Sequence, residues 1–334
     1  MPNLDYSPLP DQSPWRAFAR RFGLGRLSYY SWHYPRAAFA RSRRAGGPWN
    51  QWLDSRGEAA MRRAAAQLPP RSVTAHCSAE AWFLTGRRFW HQTAFCAWSL
   101  LKHSEDNIRP GFIDDGSFDD ALVAESQRLF PGSLVRRAAD CESQLDAVLP
   151  TSRFPVLRAQ RRTYIHLRKL TDAHIGHRGW RLVLDSDMLF FRRPDTLLEW
   201  LAAPDRPIHM LDVHDAYGYP AATLAEIAGR PIPSCVNVGI CGLRSEELDW
   251  QRLEHYAAQL LARHGTSYYL EQALVALLLA GKDALRLPRE DYRLLPSLAE
   301  CQRPTAVLHH YVAESKRGYF RYAWKQVSGT AHHH

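Results

Sequence analysis

Residues Arg181–Pro194 read RLVLDSDMLFFRRP, and this stretch decides the fold. Arg181-Leu182-Val183-Leu184 suits a short buried strand, which runs into Asp185 and, two positions on, Asp187. Side chains at i and i+2 of an extended chain share a face. The two carboxylates can therefore approach one ion together, or divide between an ion and a hydroxyl. Hard cations such as Mg²⁺ and Mn²⁺ take oxygen ligands and bridge one or two carboxylates to phosphate oxygens. An apolar strand ending in Asp-x-Asp is thus suited to hold a metal–diphosphate. The plainer reading is a surface turn with two solvated acids, and the apolar Phe190-Phe191 that follows favours the first.

Outward from this strand, helix and strand signals alternate. Residues 56–68 (RGEAAMRRAAAQL) read as a helix stopped by Pro69-Pro70. Val73–Cys77 is a candidate strand, Phe89–His103 has helical periodicity, and Gly111–Ile113 ends a strand at the turn Asp114-Asp115-Gly116. Asp119–Phe130 is expected to be helical, Ser133–Arg136 a strand, Ala138–Leu149 a helix, and Arg158–Ile175 one longer helix. This alternation predicts an α/β protein, a Rossmann-like α/β/α sandwich with a central mostly parallel sheet. In such sheets ligands bind beyond the carboxyl ends of the strands. Both Asp114-Asp115 and Asp185/Asp187 fall there.

Composition bounds the rest. A chain of 334 residues holds one large domain or two small ones. The longest nearly apolar run, Leu270 to Ala280, is broken by Glu271 and Gln272 and falls far short of the roughly 20 residues a spanning helix needs. The opening MPNLDYSPLPDQSP has neither the basic start nor the apolar core of a signal peptide. Six cysteines without a C-x-x-C pair read as reduced thiols, and the expected location is cytoplasmic. The net charge of +9 is unevenly placed, since the first 72 residues hold 12 Arg against 4 acids. The same segment carries Trp15, Trp32, Trp49 and Trp52. The expected division is a basic, aromatic-rich arm and helix over 1–71 and one α/β domain over 72–330. The arm either packs on that domain or makes peripheral contact with an anionic membrane, with nucleic acid the least favoured partner.

Several ordered motifs then resemble GT-A-fold glycosyltransferases, most closely family 8, the glycogenin and lipopolysaccharide galactosyltransferase type. LDSDMLFF resembles the family's metal motif, and TYIHLRKL the helix carrying a basic residue, which places Arg168 there. Cys235-Val236-Asn237-Val238-Gly239 resembles the segment beside the donor sugar, and YYLEQALV, with Glu271-Gln272, the D-Q-D helix. VLHHYVAESKRGY resembles the C-terminal H-Y-x-x-x-x-K segment through His310 and Lys316. The departures are Ala75-His76-Cys77-Ser78-Ala79 where the family grips the nucleotide, Val238, Glu271, and Lys316-Arg317-Gly318 in place of K-P-W. Asp114-Asp115-Gly116-Ser117 resembles instead the D-D-G-S turn of inverting GT-A enzymes.

The resemblance implies a metal-dependent transfer of a hexose from a nucleotide diphosphate sugar, expected to be UDP-linked, to an acceptor hydroxyl on a saccharide, lipid or protein. It implies Asp185, Asp187 and His310 as ligands of Mn²⁺ or Mg²⁺. It further implies nucleotide or diphosphate contacts from His76, Ser78, Asp114, Asp115, Arg168, Asp185, Gly239 and Lys316. Asn237 and Gln272 would face the donor sugar, with Lys316 acting on the departing diphosphate. Retention is the expected outcome. The alternatives are an inverting enzyme with an aspartate base such as Asp212 or Asp215, a degenerate domain that only binds, and a phosphatase with the first aspartate as nucleophile. The phosphatase pattern is disfavoured by Leu189, where it wants Thr or Val.

Overall fold

The computed structural model describes residues 47–73 and 79–328. The chain divides into compact units between Arg56 and Gly57, inside helix α1 (Pro48–Ala65). Helix α1 begins earlier than the expected residue 56 because Pro48 supplies a first-turn residue that needs no amide partner. Before the division, Trp49 and Trp52 are exposed and stack with centroids 4.8 Å apart, and the Arg56 guanidinium lies 5.2 Å from the Trp52 ring. After it, Met61 and Ala65 are buried.

In the second unit the strands are β1 (Ala79–Thr85), β2 (Ile108–Asp114), β3 (Leu134–Arg136), β4 (Trp180–Leu184), β5 (Met188–Phe190), β6 (Ile208–Leu211), β7 (Val236–Arg244), β8 (Leu285–Arg286), β9 (Tyr292–Leu294) and β10 (Leu308–His310). Among the described residues, seven of them form one sheet in the order β3-β2-β1-β4-β7-β6-β8. Only β7 runs antiparallel to its neighbours in that sheet. The register of β6 on β7 shifts between His209, opposite Cys241, and Met210, opposite Asn237. Such irregularities bend a strand and re-aim its side chains, and this one falls at Val238–Ile240, between Asn237 and Cys241. The remaining three strands form a small sheet, β5-β10-β9.

Strand side chains alternate between two cores, as a sheet covered on both faces requires. Ala81 and Phe83 of β1 and Leu182 and Leu184 of β4 join one cluster with Phe95 and Leu101 of α2 (Trp90–His103). Val236 and Val238 of β7 join the other, with Leu253 and Leu260 of α8 (Trp250–His264) and Leu274 of α9 (Leu270–Leu279). Phe83, Phe95 and Phe112 are fully buried, each contributing about 2–3 kcal/mol. The intervening helices are α3 (Asp120–Leu129), α4 (Ala138–Val148), α5 (Pro155–Thr163), α6 (Asp195–Ala202) and α7 (Ala221–Ala228).

The expected strand Val73–Cys77 falls almost wholly outside the described residues, of which Val73 is in no strand; the first described strand is Ala79–Thr85, where Trp82 and Phe83 supply the apolar weight. One expectation needs correction. The single long helix over Arg158–Ile175 is instead α5 followed by a 3₁₀ turn, Ile165–Lys169. Tyr164 breaks it with an extended backbone (φ −121°, ψ 92°) while its hydroxyl donates to the Tyr268 carbonyl at 2.6 Å.

Candidate metal centre

Asp185 leaves β4 at its carboxyl end, with its amide donating to the Gly239 carbonyl at 2.7 Å. The next side chain, Ser186, points back into the protein. Its hydroxyl accepts from Thr93 Oγ1 at 2.7 Å and meets the Leu84 carbonyl at 3.3 Å. With Ser186 held inward, alternation along the chain puts Asp185 and Asp187 on the opposite side together.

The third member arrives by strand pairing. β10 runs antiparallel to β5, with His310 opposite Met188, and the Tyr311 amide extends the ladder to the Asp187 carbonyl at 2.9 Å. His310 Nε2 then lies 3.3 Å from Asp187 Oδ1 and 3.6 Å from Asp185 Oδ2. One ligating atom from each of the three residues lies within 4.8 Å of the others. Gly239 makes room for the imidazole, since a Cβ there would stand 2.5 Å from His310 Cε1 and Nδ1.

Two ammonium groups flank the acids. Lys316 Nζ lies 2.7 Å from Asp187 Oδ2 and donates to Gln92 Oε1 at 3.0 Å. Lys169 Nζ, buried, lies 2.7 Å from Asp185 Oδ1 and 2.9 Å from Glu271 Oε2. Burial pulls the Lys169 ammonium down, but Asp185 and Glu271 hold it well above its ordinary range. Burial raises the Asp187 carboxyl, but Lys316 and His310 outweigh it and keep the group well below the usual carboxylate range. Glu271 is governed by burial, which pushes it up to about 7 against the pull of Lys169.

The residues present fit a divalent cation. His310 is 2% exposed, and its Nε2 faces Asp187 and Asp185 at 3.3 and 3.6 Å without hydrogen-bond geometry. A ring nitrogen aimed between two carboxylate oxygens is set to ligate a cation held by all three. Two carboxylates and one imidazole are a donor set that Mn²⁺ accepts readily, and Mg²⁺ less so.

Asn237 and Gln272 come together on Asp212, whose Oδ2 accepts from Asn237 Nδ2 at 3.0 Å and Gln272 Nε2 at 3.3 Å. Asp114 and Asp115 stand at the carboxyl end of β2, on the same edge as Asp185. Their carboxylates are engaged in their own turn: Asp114 accepts from the amides of Gly116, Phe118 and Ala138, and Asp115 from the amide and hydroxyl of Ser117. Arg168 does not join the acidic pair. It lies under that turn and donates from Nη1 to the Asp114 carbonyl at 2.8 Å. The cation that does reach Asp185 is Lys169, which the sequence reading passed over. Its scarcity, as one of 5 lysines beside 38 arginines, was the available signal. His76 and Ser78 lie outside the described residues.

No protein-family model matches the chain, and a search of curated proteins gives no match. Among solved structures, galactosyltransferase LgtC in complex with donor and acceptor sugar analogues matches with a TM-score of 0.51 at 14% identity, covering 76% of this chain and 97% of that one. Mouse xyloside xylosyltransferase 1 in its apo form matches with a TM-score of 0.48 at 12% identity, over 71% of this chain and 98% of that one. Likeness at this level is likeness of fold, and the fold is the expected one: a mixed α/β, mostly parallel seven-stranded sheet of the GT-A type.

Proposed function

We propose that the chain is a metal-dependent glycosyltransferase that moves a hexose from a UDP-sugar to an acceptor hydroxyl with retention of configuration. The observation that carries this reading is the convergence of Asp185, Asp187 and His310 at the carboxyl edge of a GT-A sheet, with a buried imidazole turned toward two carboxylates. Asp185, Asp187 and His310 would hold the ion, which when bound offsets charge on the departing diphosphate. Lys316, half-exposed beside Asp187, is the chain's own cation for the diphosphate oxygens. Lys169 holds Asp185 and Glu271 in fixed relation, so that the acid pair is preorganised. Asn237 and Gln272 would border the transferred sugar.

Retention is the outcome the family resemblance favours, and the aspartates an inverting mechanism would use as base each have other hydrogen-bond partners. Asp212 is bonded to two side-chain amides, Asp215 accepts from the Cys235 amide at 2.6 Å, and Asp114 and Asp115 serve their turn. We further infer that the basic arm, whose Trp49 and Trp52 are exposed, meets an anionic membrane surface. No described helix is long and apolar enough to cross a membrane.

Calorimetry of UDP binding with MnCl₂ tests the central reading. Wild type should bind in the presence of Mn²⁺, and Asp187→Ala should lose that binding while its circular dichroism is kept. Equal UDP affinity in the two proteins contradicts the metal role. Slow Mn²⁺-dependent hydrolysis of a UDP-hexose separates an enzyme from a binding module, and the product anomer seen by proton NMR separates retention from inversion.

A further inference from the structure

A carboxamide has a donor end and an acceptor end, and the end that faces a reacting centre decides which charge it can stabilise. Gln272, buried in the first turn of α9, donates Nε2–H to the Ala216 carbonyl at 2.8 Å and to Asp212 Oδ2 at 3.3 Å. Both partners can only accept, so chemistry alone requires the NH₂ end to face them. The polar end left for a ligand is the carbonyl oxygen Oε1. Asn237 is pinned in the same way, donating Nδ2–H to Asp212 while its Oδ1 accepts from the Gly239 amide at 2.9 Å.

Asp212 is itself held from several sides. Its Oδ1 accepts from the Val213 amide at 2.8 Å, its own amide donates to the Cys235 carbonyl at 2.7 Å, and its carbonyl accepts from Arg289 Nη2 at 2.6 Å. The three N–H groups on its carboxylate are neutral, and the residue is 6% exposed. A buried carboxylate compensated in this way keeps its negative field and polarises the N–H bonds it accepts, which enriches the far oxygen of the same amide. The assembly borders the metal centre at both ends. Gly239 abuts the His310 ring, and Glu271, next to Gln272, is tied to Asp185 through Lys169.

We propose that Asp212 is a positioning residue acting through Gln272: it fixes the amide with Oε1 toward the donor sugar and raises the electron density of that oxygen, so that Gln272 stabilises positive charge growing at the anomeric carbon, an inference that rests on the glycosyl-transfer reading above. The bonds to Asp212 and Ala216 set the orientation of Gln272, and the Asp212 carboxylate, whose own hydrogen-bond partners are neutral N–H groups while Arg289 sits on its backbone carbonyl, supplies the field.

Two measurements test it. In protein labelled with ¹⁵N-glutamine, with the Gln272 signal assigned by its loss in Gln272→Ala, both protons of that side-chain NH₂ should be protected from solvent exchange. A freely exchanging pair overturns the proposal, and this wild-type reading stands even if Asp212→Asn fails to fold. The kinetic test uses Mn²⁺-dependent hydrolysis of UDP-galactose and UDP-glucose. Asp212→Asn sets an amide NH₂ against the Gln272 NH₂, and should lower kcat about 30-fold, the scale of one hydrogen bond to a charged group, with the donor KM within about threefold. In a Gln272→Ala background the same change should cost less than about threefold. An equal loss in both backgrounds shows that Asp212 acts independently of Gln272 and overturns the relay alone. A wild-type protein that hydrolyses neither donor overturns the relay together with the glycosyl-transfer reading.

Discussion

Gly239→Ala is the sharpest perturbation the geometry offers. The φ of Gly239 lies outside the left-handed region, so alanine meets no backbone penalty and the effect is steric. The added Cβ would stand 2.5 Å from His310 Cε1 and Nδ1 and 2.9 Å from Asn237 Oδ1. Ordinary carbon contacts are about 3.5–4.0 Å, so the imidazole must retreat by roughly 1 Å. It has little room, being 2% exposed on a three-residue strand paired on both sides. Overpacking of this kind costs about 1–3 kcal/mol, or a Tm lower by roughly 2–12 °C for a domain of this size. Moving one of three ligating groups by about 1 Å should also cut turnover by roughly 100-fold. The assay is thermal unfolding with and without MnCl₂, alongside Mn²⁺-dependent UDP binding. Added metal should raise the wild-type Tm by mass action and raise that of Gly239→Ala by much less. A variant that unfolds within about 1 °C of wild type and keeps its full metal-induced shift refutes the packing argument.

Three further outcomes are expected. Lys316→Ala should slow donor turnover more than it weakens folding, because on the proposed reading the ammonium would act on charge that develops as the diphosphate leaves; an unchanged kcat argues against that placement. Glu271, pushed up to about 7 by burial, binds a proton in the folded state that the unfolded chain releases near its ordinary value. Its contribution to stability therefore falls as pH rises from about 4.5 to 7, by about 3 kcal/mol. Glu271→Gln should flatten urea-unfolding stability across that window, and an unaltered slope contradicts the assignment. Liposome flotation of the full chain should show binding to phosphatidylserine vesicles that weakens with salt and with Trp49→Ala/Trp52→Ala, and equal binding to neutral vesicles contradicts an electrostatic arm.

The acidic doublet was legible because period-two alternation and an apolar strand are local properties: Leu182–Leu184 bury, and Asp185 and Asp187 emerge on one side. The layered fold was legible for the same reason, since each strand and helix carries its own periodicity. Sequence reading failed where a tertiary contact overrides local preference. Tyr164 interrupts an otherwise helical run to reach Tyr268, and the resulting turn puts Lys169, rather than Arg168, on Asp185. Asp212 reads locally as a turn residue, and its role as the shared acceptor of Asn237 and Gln272 depends on β7 and α9 meeting beside it. The match of His310 and Lys316 rested on resemblance to a motif and its spacing, and local periodicity gives no sign of the three-residue ladder that carries His310 to Asp187.

That ladder has a consequence for how the protein is made. Lys316 and Asp187 are 129 positions apart, and β10 is the last strand among the described residues. On the ribosome, the acidic doublet emerges long before the segment that carries His310 and Lys316. A nascent or proteolytically clipped product ending before Leu308 keeps the seven strands of the large sheet yet lacks both the imidazole and the distal ammonium. On the proposed metal reading, ion capture therefore awaits synthesis of the β10 segment.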